Sequence, residues 1–234
     1  MKRAICIGLN YPGSAYQLGG CVNDAVQLAN EIQNKGGKPR LIKDLLGASD
    51  FLRVLEEYKA VQKKADTLYI TYSGHGTQYP GPEGINEGLC FWNGRSIEVL
   101  SDEDFNRAIK EIPGTVVVIF DSCFSGGMER AALQATPYKR RCINFNPDTM
   151  QVYKPIMPRA TAAPNKRVNM FACSEQEVSW DTGVNGLFTL NLLNVYDAGS
   201  RTVGKIMQRT YNACKPNQHP TWSYSNTTGN KRIF

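Results

Sequence analysis

The apolar positions fall into two kinds of pattern. Near-continuous runs occupy Lys2 to Gly8, Asp66 to Tyr72, Thr115 to Phe120 and Val168 to Cys173, each closed by glycine or small polar residues. Runs of this length and β-branched content predict strands buried on both faces. Between them the spacing changes to that of an amphipathic helix. Positions 22, 25, 26, 28, 29 and 32 form one apolar stripe that Gly36-Gly37 ends. Phe51, Leu52, Val54, Leu55, Tyr58 and Val61 form a second, with Ser49 as the expected N-cap. Ser101 and Asp104 suggest a capping box ahead of Phe105, Ala108 and Ile109, and Pro113-Gly114 stops that helix. Further helices are expected over 186–196 and 202–214, with an irregular tail from Lys215. There is no internal repeat.

Buried strands alternating with helices predict an α/β fold, its sheet mostly parallel and covered on both faces. A chain of 234 residues suits one sizeable domain. The start has a basic pair but too short an apolar stretch for a secretory signal. No run approaches a membrane span, so the expectation is a cytoplasmic protein with no membrane partner.

Charge changes the picture more. The net charge is +6, and residues 127–167 carry eight basic against two acidic side chains, leaving the remainder balanced. A nucleic-acid binder spreads its basic residues over a folded face. Here they fall in one predicted loop, so no nucleic-acid partner is expected. The seven cysteines are odd in number and scattered without a CxxC pair, and there are only two histidines, so the usual zinc cage is absent. One thiol must stay unpaired in a chain large enough to fold without staples, which argues against a disulfide framework.

The candidate chemistry lies where two strands end. One delivers Ser73-Gly-His-Gly76 and the other Asp121-Ser-Cys-Phe-Ser-Gly-Gly127. Loops at the carboxyl edge of an α/β sheet collect functional groups. Cysteine catalysis needs a thiolate, a base near neutral pH and fixed donors for an oxyanion. His75 suits the base, and its flanking glycines let backbone N–H groups come close. The same spacing also fits an unrelated loop histidine and core cysteine. His219, before Pro220, reads as a loop residue.

Five motifs extend this reading. Tyr72-Ser-Gly-His-Gly-Thr-Gln78 and Asp121-Ser-Cys-Phe-Ser-Gly126 resemble the histidine and cysteine motifs of metacaspases and orthocaspases, within the caspase-like peptidases. Leu18-Gly-Gly-Cys-Val-Asn-Asp-Ala25, Cys173-Ser-Glu-Gln-Glu-Val-Ser-Trp-Asp181 and Gln218-His-Pro-Thr-Trp-Ser223 are similar to three further motifs of that family, in the same order. Trp180 stands where the family has a small residue.

The resemblance implies a caspase-like fold, mostly parallel in its central sheet with helices on both faces. It divides the single domain 1–234 into a large-subunit-like part (1–126), a basic linker (127–167) and a small-subunit-like part (168–234), the bare catalytic domain of the prokaryotic type. Cys123 would be the nucleophile and His75 the acid/base, with the N–H groups of Gly76 and Cys123 as oxyanion hole. Cys21, Asp24, Ser73 and Asp121 would line a pocket for Arg or Lys, since paired carboxylates favour a basic side chain. Partners would be protein or peptide substrates cut after Arg or Lys by a monomer. The linker would offer self-cleavage sites at Arg141, Lys154, Arg159 and Arg167, or remain an uncut solvated loop. Asp102 and Glu103 resemble part of a calcium cluster; calcium is possible, and no cofactor is required for the chemistry. A catalytically silent caspase-like binding module is the alternative.

Overall fold

The computed structural model describes residues 1–82, 84–123, 137–156, 165–174, 177–199 and 201–234. In chain order they form β1 (Lys2–Gly8), α1 (Cys21–Asn34), β2 (Lys38–Lys43), α2 (Ala48–Val61), β3 (Thr67–Ser73), β4 (Gly76–Gly81), β5 (Gly84–Trp92), β6 (Ile97–Ser101), α3 (Asp102–Lys110), β7 (Thr115–Asp121), β8 (Lys139–Arg140), β9 (Met150–Tyr153), β10 (Lys166–Phe171), β11 (Trp180–Asp181), α4 (Leu187–Asp197), α5 (Val203–Cys214) and β12 (Thr221–Ser225).

The four apolar runs become β1, β3, β7 and β10, the inner strands of a six-stranded sheet in the order β12-β10-β7-β3-β1-β2. All neighbours pair in parallel except β12, which lies antiparallel to β10. Every residue of β7 is buried, as its apolar run required. Alternate side chains feed two cores. Ile5, Ile70, Tyr72, Val118 and Phe120 pack on one face with Phe51 and Leu55 of α2 and Phe105 and Ile109 of α3. Cys6, Tyr69, Val117, Ile119 and Met170 pack on the other with Leu28 and Ile32 of α1, Leu192 of α4 and Met207 of α5. Each such side chain withdrawn from water contributes about 1.5–3 kcal/mol.

The helix ends follow the sequence closely, with one exception. The Ser101 hydroxyl accepts from the Asp104 N–H at 3.0 Å, capping α3 as expected. Gly36 (φ +77°) turns the chain after α1. For α2, however, Gly47 takes the N-cap position, and Ser49 lies inside the first turn.

Three parts differ from the expected architecture. A second sheet, β4-β5-β6-β9, stands beside the first. Strands β4 and β5 carry Gly76, Pro80, Gly81, Gly84 and Gly88, so their pattern does not read as regular alternation. The tail is not irregular, because Thr221–Ser225 closes the main sheet as β12. The stretch 127–167 is not one loop either: its described residues contribute β8, β9 and the first two residues of β10.

Candidate active site

Ser73 and Asp121 are register partners at the carboxyl ends of β3 and β7, so the two motif loops leave the sheet side by side. The His75 N–H donates to the Tyr11 hydroxyl at 2.8 Å, and the two rings lie 4.8 Å apart. On the ring, Nε2 lies 2.7 Å from Tyr16 O. A carbonyl oxygen only accepts, so Nε2 carries the proton and Nδ1 keeps its lone pair. That Nδ1 is buried and has no hydrogen-bond partner. Burial lowers the imidazole pKa to about 4, so the ring is neutral at pH 7.

Cys123 follows β7 and is fully buried. Its Sγ accepts from the Ser179 N–H at 2.8 Å. The Cys142 thiol lies within hydrogen-bonding reach of it, and Cys173 packs in the same small cluster. Burial pushes the Cys123 thiol well above its ordinary value, with Cys173 adding to the shift. The pair in this conformation is therefore thiol and neutral imidazole. Gly76 has to be glycine, because a Cβ there would collide with the Cys123 carbonyl group.

Beside this pair lies a buried acidic pocket. Asp24 sits in the first turn of α1 yet belongs to the helix's buried face. Its Oδ1 accepts from Asn185 Nδ2 at 2.7 Å and from the Gly186 N–H at 3.0 Å, and its Oδ2 accepts from the Ser73 hydroxyl at 2.6 Å. Asp121 accepts from the Ser179 hydroxyl (2.6 Å) and from the N–H and hydroxyl of Thr189 (2.9 and 2.8 Å). Asp181, from β11, accepts from the N–H groups of Gly20 (3.0 Å) and Gly183 (2.8 Å). The Cys21 thiol reaches Asp181 Oδ2 at 3.7 Å. Gly186 forms part of the wall, where any side chain would strike the Asp121 carboxylate.

Into this pocket goes Arg141. Its guanidinium meets Asp24 at 2.8 Å, Asp121 at 3.2 Å and Asp181 at 3.0 Å, and it donates to the Ser73 hydroxyl at 2.6 Å. The side chain is 0% exposed. Three carboxylates around one cation are not equivalent. Burial raises Asp24 to about 6, against the pull of Arg141. Burial also acts to raise Asp181, but Arg141 and the N–H groups of Gly183 and Gly20 outweigh it and hold that carboxyl below its usual range.

The backbone of the same residue is held just as closely. Arg141 O accepts from the N–H of Gly76 at 3.0 Å and from the N–H of Cys123 at 3.3 Å. The Arg141 N–H donates to Ser179 O at 3.0 Å, and Arg140 pairs with Trp180 as β8 runs antiparallel to β11. Past Arg141 the chain continues along β4: the Ile143 N–H donates to Gly76 O at 3.0 Å, and Thr77 Oγ1 donates to Ile143 O at 2.7 Å. Residues 139–143 thus thread the cleft as an extended peptide.

Asp24, Ser73 and Asp121 gather round the Arg141 guanidinium, and Cys21 reaches Asp181 beside them. The N–H groups of Gly76 and Cys123 converge on Arg141 O, with His75 next to Gly76 in the chain. Of the three basic positions among the described residues, only Arg141 is in the pocket. Lys154 is exposed beyond β9. Arg167 lies within β10, paired with Val116 and Ser225, and donates to Asn106 Oδ1 at 2.7 Å. It therefore sits in a sheet and not in a loop. Arg159 falls outside the described residues. Arg141 itself departs from the expectation of an exposed loop, since its side chain is fully enclosed. His219 pairs with Glu177 and packs on Tyr211, with ring centroids 5.3 Å apart.

Sequence reasoning left Asp181, Ser179, Thr189, Asn185 and Gly186 unassigned. Asp181 closes the motif that begins at Cys173, so a signal for it existed. The other four act through short contacts that only the fold assembles.

Asp102 and Glu103 form the first turn of α3. Asp102 lines a cavity of about 670 Å³ with Glu87, Phe105, Phe120, Phe171 and Trp222, among others, and Glu103 does not. Among the described residues no three acidic, histidine or cysteine side chains converge as metal ligands. Two carboxylates fall short of the six to eight oxygens that calcium takes. No helix among the described residues is long and apolar enough to cross a membrane.

A mostly parallel sheet with a Cys and a His loop at its carboxyl edge defines the class of caspase-like proteins. The caspase domain model matches residues 1–231, and the chain belongs to the caspase-domain family of cysteine peptidases. Among curated relatives it is 30% identical to metacaspase-7 of Arabidopsis thaliana over 142 residues, 54% of this chain and 35% of that protein. Metacaspase-9 of the same plant is 31% identical over 149 residues, 54% of this chain and 44% of that protein. The chain thus spans less than half the length of these relatives. Among solved structures, protein GSU0716 from Geobacter sulfurreducens superposes with a TM-score of 0.80 at 21% identity, over 100% of this chain and 98% of that one. Caspase-1 from Spodoptera frugiperda gives 0.61 at 12% identity, over 95% and 85%. Both likenesses concern the fold.

Proposed function

We propose that this chain is a cysteine endopeptidase that cuts after Arg or Lys, and that the bond between Arg141 and Cys142 is its own first substrate. One observation carries the reading. The Arg141 guanidinium meets three carboxylates while its carbonyl oxygen accepts from both Gly76 and Cys123. A substrate's basic side chain and its scissile carbonyl would need the same two sets of partners.

In this reading Cys123 Sγ attacks the Arg141 carbonyl carbon and passes its proton to His75 Nδ1. The two N–H groups stabilise the oxyanion as negative charge builds on it. Collapse breaks the bond to the Cys142 nitrogen, which takes the proton from His75. The Arg141 thioester is then hydrolysed by water, with His75 as base, which returns the free thiol. The raised thiol pKa and the neutral ring mean that little thiolate is present while the segment covers the site. Cleavage therefore waits on a change that admits water or charge to Cys123.

The test is an intact-mass measurement of the wild-type chain and of Cys123→Ala, together with reporters ending in Arg, Lys or Asp. The expected result is a break after Arg141 in the wild type alone, and hydrolysis of the Arg and Lys reporters only. An uncut wild type that also leaves every reporter intact rejects the peptidase reading. Running the reporters with and without calcium tests whether that ion stimulates the reaction.

A further inference from the structure

We infer that the chain is also a peptide ligase: the thioester formed on Cys123 is handed to Cys142, and the peptide bond before that cysteine is remade. The inference rests on the peptidase reading above and adds a second fate for its acyl-enzyme. It comes from asking what leaves the cleft once the bond after Arg141 is cut.

Neither new end is free to go. On the acyl side Arg141 stays among its three carboxylates, and Lys139 Nζ makes an exposed contact with Gln17 O at 3.0 Å. On the amine side Cys142 bridges in parallel to Gly76. The Ile143 N–H donates to Gly76 O at 3.0 Å, and Ile143 O accepts from the Thr77 hydroxyl at 2.7 Å. The Ile143 side chain is buried in the larger core. The leaving group therefore remains beside the acyl carbon, where a well-aligned nucleophile reacts as if present at about 10⁵ M or more. Water competes poorly there, because Cys123 is fully buried.

The amine that remains belongs to a cysteine. Its thiol lies within hydrogen-bonding reach of Cys123 Sγ and packs against the cluster of Cys123, Cys173, Val178 and Trp180. Cys142 Sγ can thus attack the Arg141 thioester. A bond from Cys142 Sγ to the acyl carbon forms, the bond from Cys123 Sγ breaks, and the Cys142 thiol proton passes to Cys123 by way of His75. The Nδ1 lone pair that carries it is buried and unpartnered. The Cys142 nitrogen then attacks the same carbon through the ring closed by its own Cα and Cβ. The C–N bond forms, the C–S bond breaks, and a proton from the amine returns to Cys142 Sγ. The peptide bond and both thiols are restored, and no water, oxidant or reductant is consumed. Once Arg141 gives way to a substrate, the substrate's acyl part meets the same acceptor and is joined to Cys142.

Intact-mass measurements on the full chain, with and without hydroxylamine to intercept thioesters, test this. Hydroxylamine should raise the rate at which fragments 1–141 and 142–234 appear by about 10-fold or more, because it diverts acyl groups that Cys142 would otherwise return. In Cys142→Ala it should change that rate little, and in Cys123→Ala no break should appear. With acetyl-Ala-Ala-Arg carrying a fluorogenic amide, the 142–234 fragment should gain the mass of the acyl peptide through a bond that hydroxylamine leaves intact. The ratio of this adduct to free peptide acid should collapse in Cys142→Ala, whereas a general loss of structure would lower both together. Equal rates with and without hydroxylamine, equal acceleration in Cys142→Ala, or a cut wild type without adduct overturns the inference and leaves the peptidase reading standing. A chain that breaks under neither condition overturns the inference too, and if the reporter also stays uncut the peptidase reading falls with it.

Discussion

The two halves of the threaded segment are held by opposite kinds of force. Before the bond that follows Arg141, the chain is anchored by charge: one guanidinium, three carboxylates and a hydroxyl, all buried. After it, the anchor is apolar and backbone-based. Ile143 is 5% exposed in the larger core, Phe145 packs on Tyr79 at 5.5 Å between ring centroids, and β9 pairs in parallel with β6. A charge-filled pocket can exchange its occupant for any other basic side chain at little change in solvation. An apolar anchor built into a sheet cannot be exchanged without unfolding it. The first half is thus suited to replacement by substrate and the second to staying in place.

The largest test breaks the charged half. Arg141→Ala leaves three buried carboxylates facing no cation. The expected loss is about 3–5 kcal/mol, the cost of stranding a buried charge, seen as a lower urea midpoint together with no break at that position. Arg141→Lys should recover much of the stability, because it restores a charge without the planar fork. If Arg141→Ala unfolds at the wild-type midpoint, the pocket does not depend on its occupant.

The apolar half should be weaker to truncation but not negligible. Ile143→Ala removes buried methyl groups and should cost about 2–4 kcal/mol, again by urea unfolding, while leaving the preference for Arg reporters intact. A shift in that preference would mean that the two halves are not separable.

The pH dependence tests the catalytic edge between them. His75 is held near 4 by burial, below the usual 6.5. A base with a depressed folded pKa binds fewer protons folded than unfolded between those values. Its contribution to stability is therefore complete above about 6.5 and is lost as the pH falls towards about 4. Asp24, raised to about 6, pulls the other way over much of that window, so the test is the difference between chains. In paired urea titrations the stability of His75→Gln should fall less with acid than that of the wild type. An unchanged slope in the variant would assign the effect to other groups. The smallest expected change is Lys139→Ala, whose exposed contact should matter by less than about 0.5 kcal/mol in a thermal melt.

The inner sheet was legible because β1, β3 and β7 are buried on both faces over most of their length, which leaves a continuous apolar run, while β10 buries Val168 and Met170 on one face. Helices α1 and α3 were equally plain, through a stripe and a cap. The strands β4, β5 and β6 were not. Pro80, Gly81, Gly84 and Gly88 break the pattern of β4 and β5, and β6 is only five residues long, so pairing and not alternation defines these strands. At the site, the motif residues were singled out by their resemblance to the family's motifs, since residue type and spacing alone also fit an unrelated loop histidine and core cysteine. The destination of Arg141 was not. In sequence it is one of a basic cluster, indistinguishable from Arg140 and Lys139, and only the register of β8 on β11 turns its side chain inward and that of Arg140 outward onto Trp180. Likewise Asp24 resembles an ordinary first-turn carboxylate until Asn185, Gly186 and Ser73 close over it.

Because Arg141 is tethered to the pocket it fills, it acts as a ligand at an effective concentration in the millimolar range. A diffusing peptide that binds the open pocket with a dissociation constant of about 1 µM would then need a concentration about a thousandfold above that value to displace it. On the proposed function, the covered chain would ignore scarce basic peptides. Its threshold is set by the tether as much as by the pocket, so linker length is a dial on when the enzyme responds.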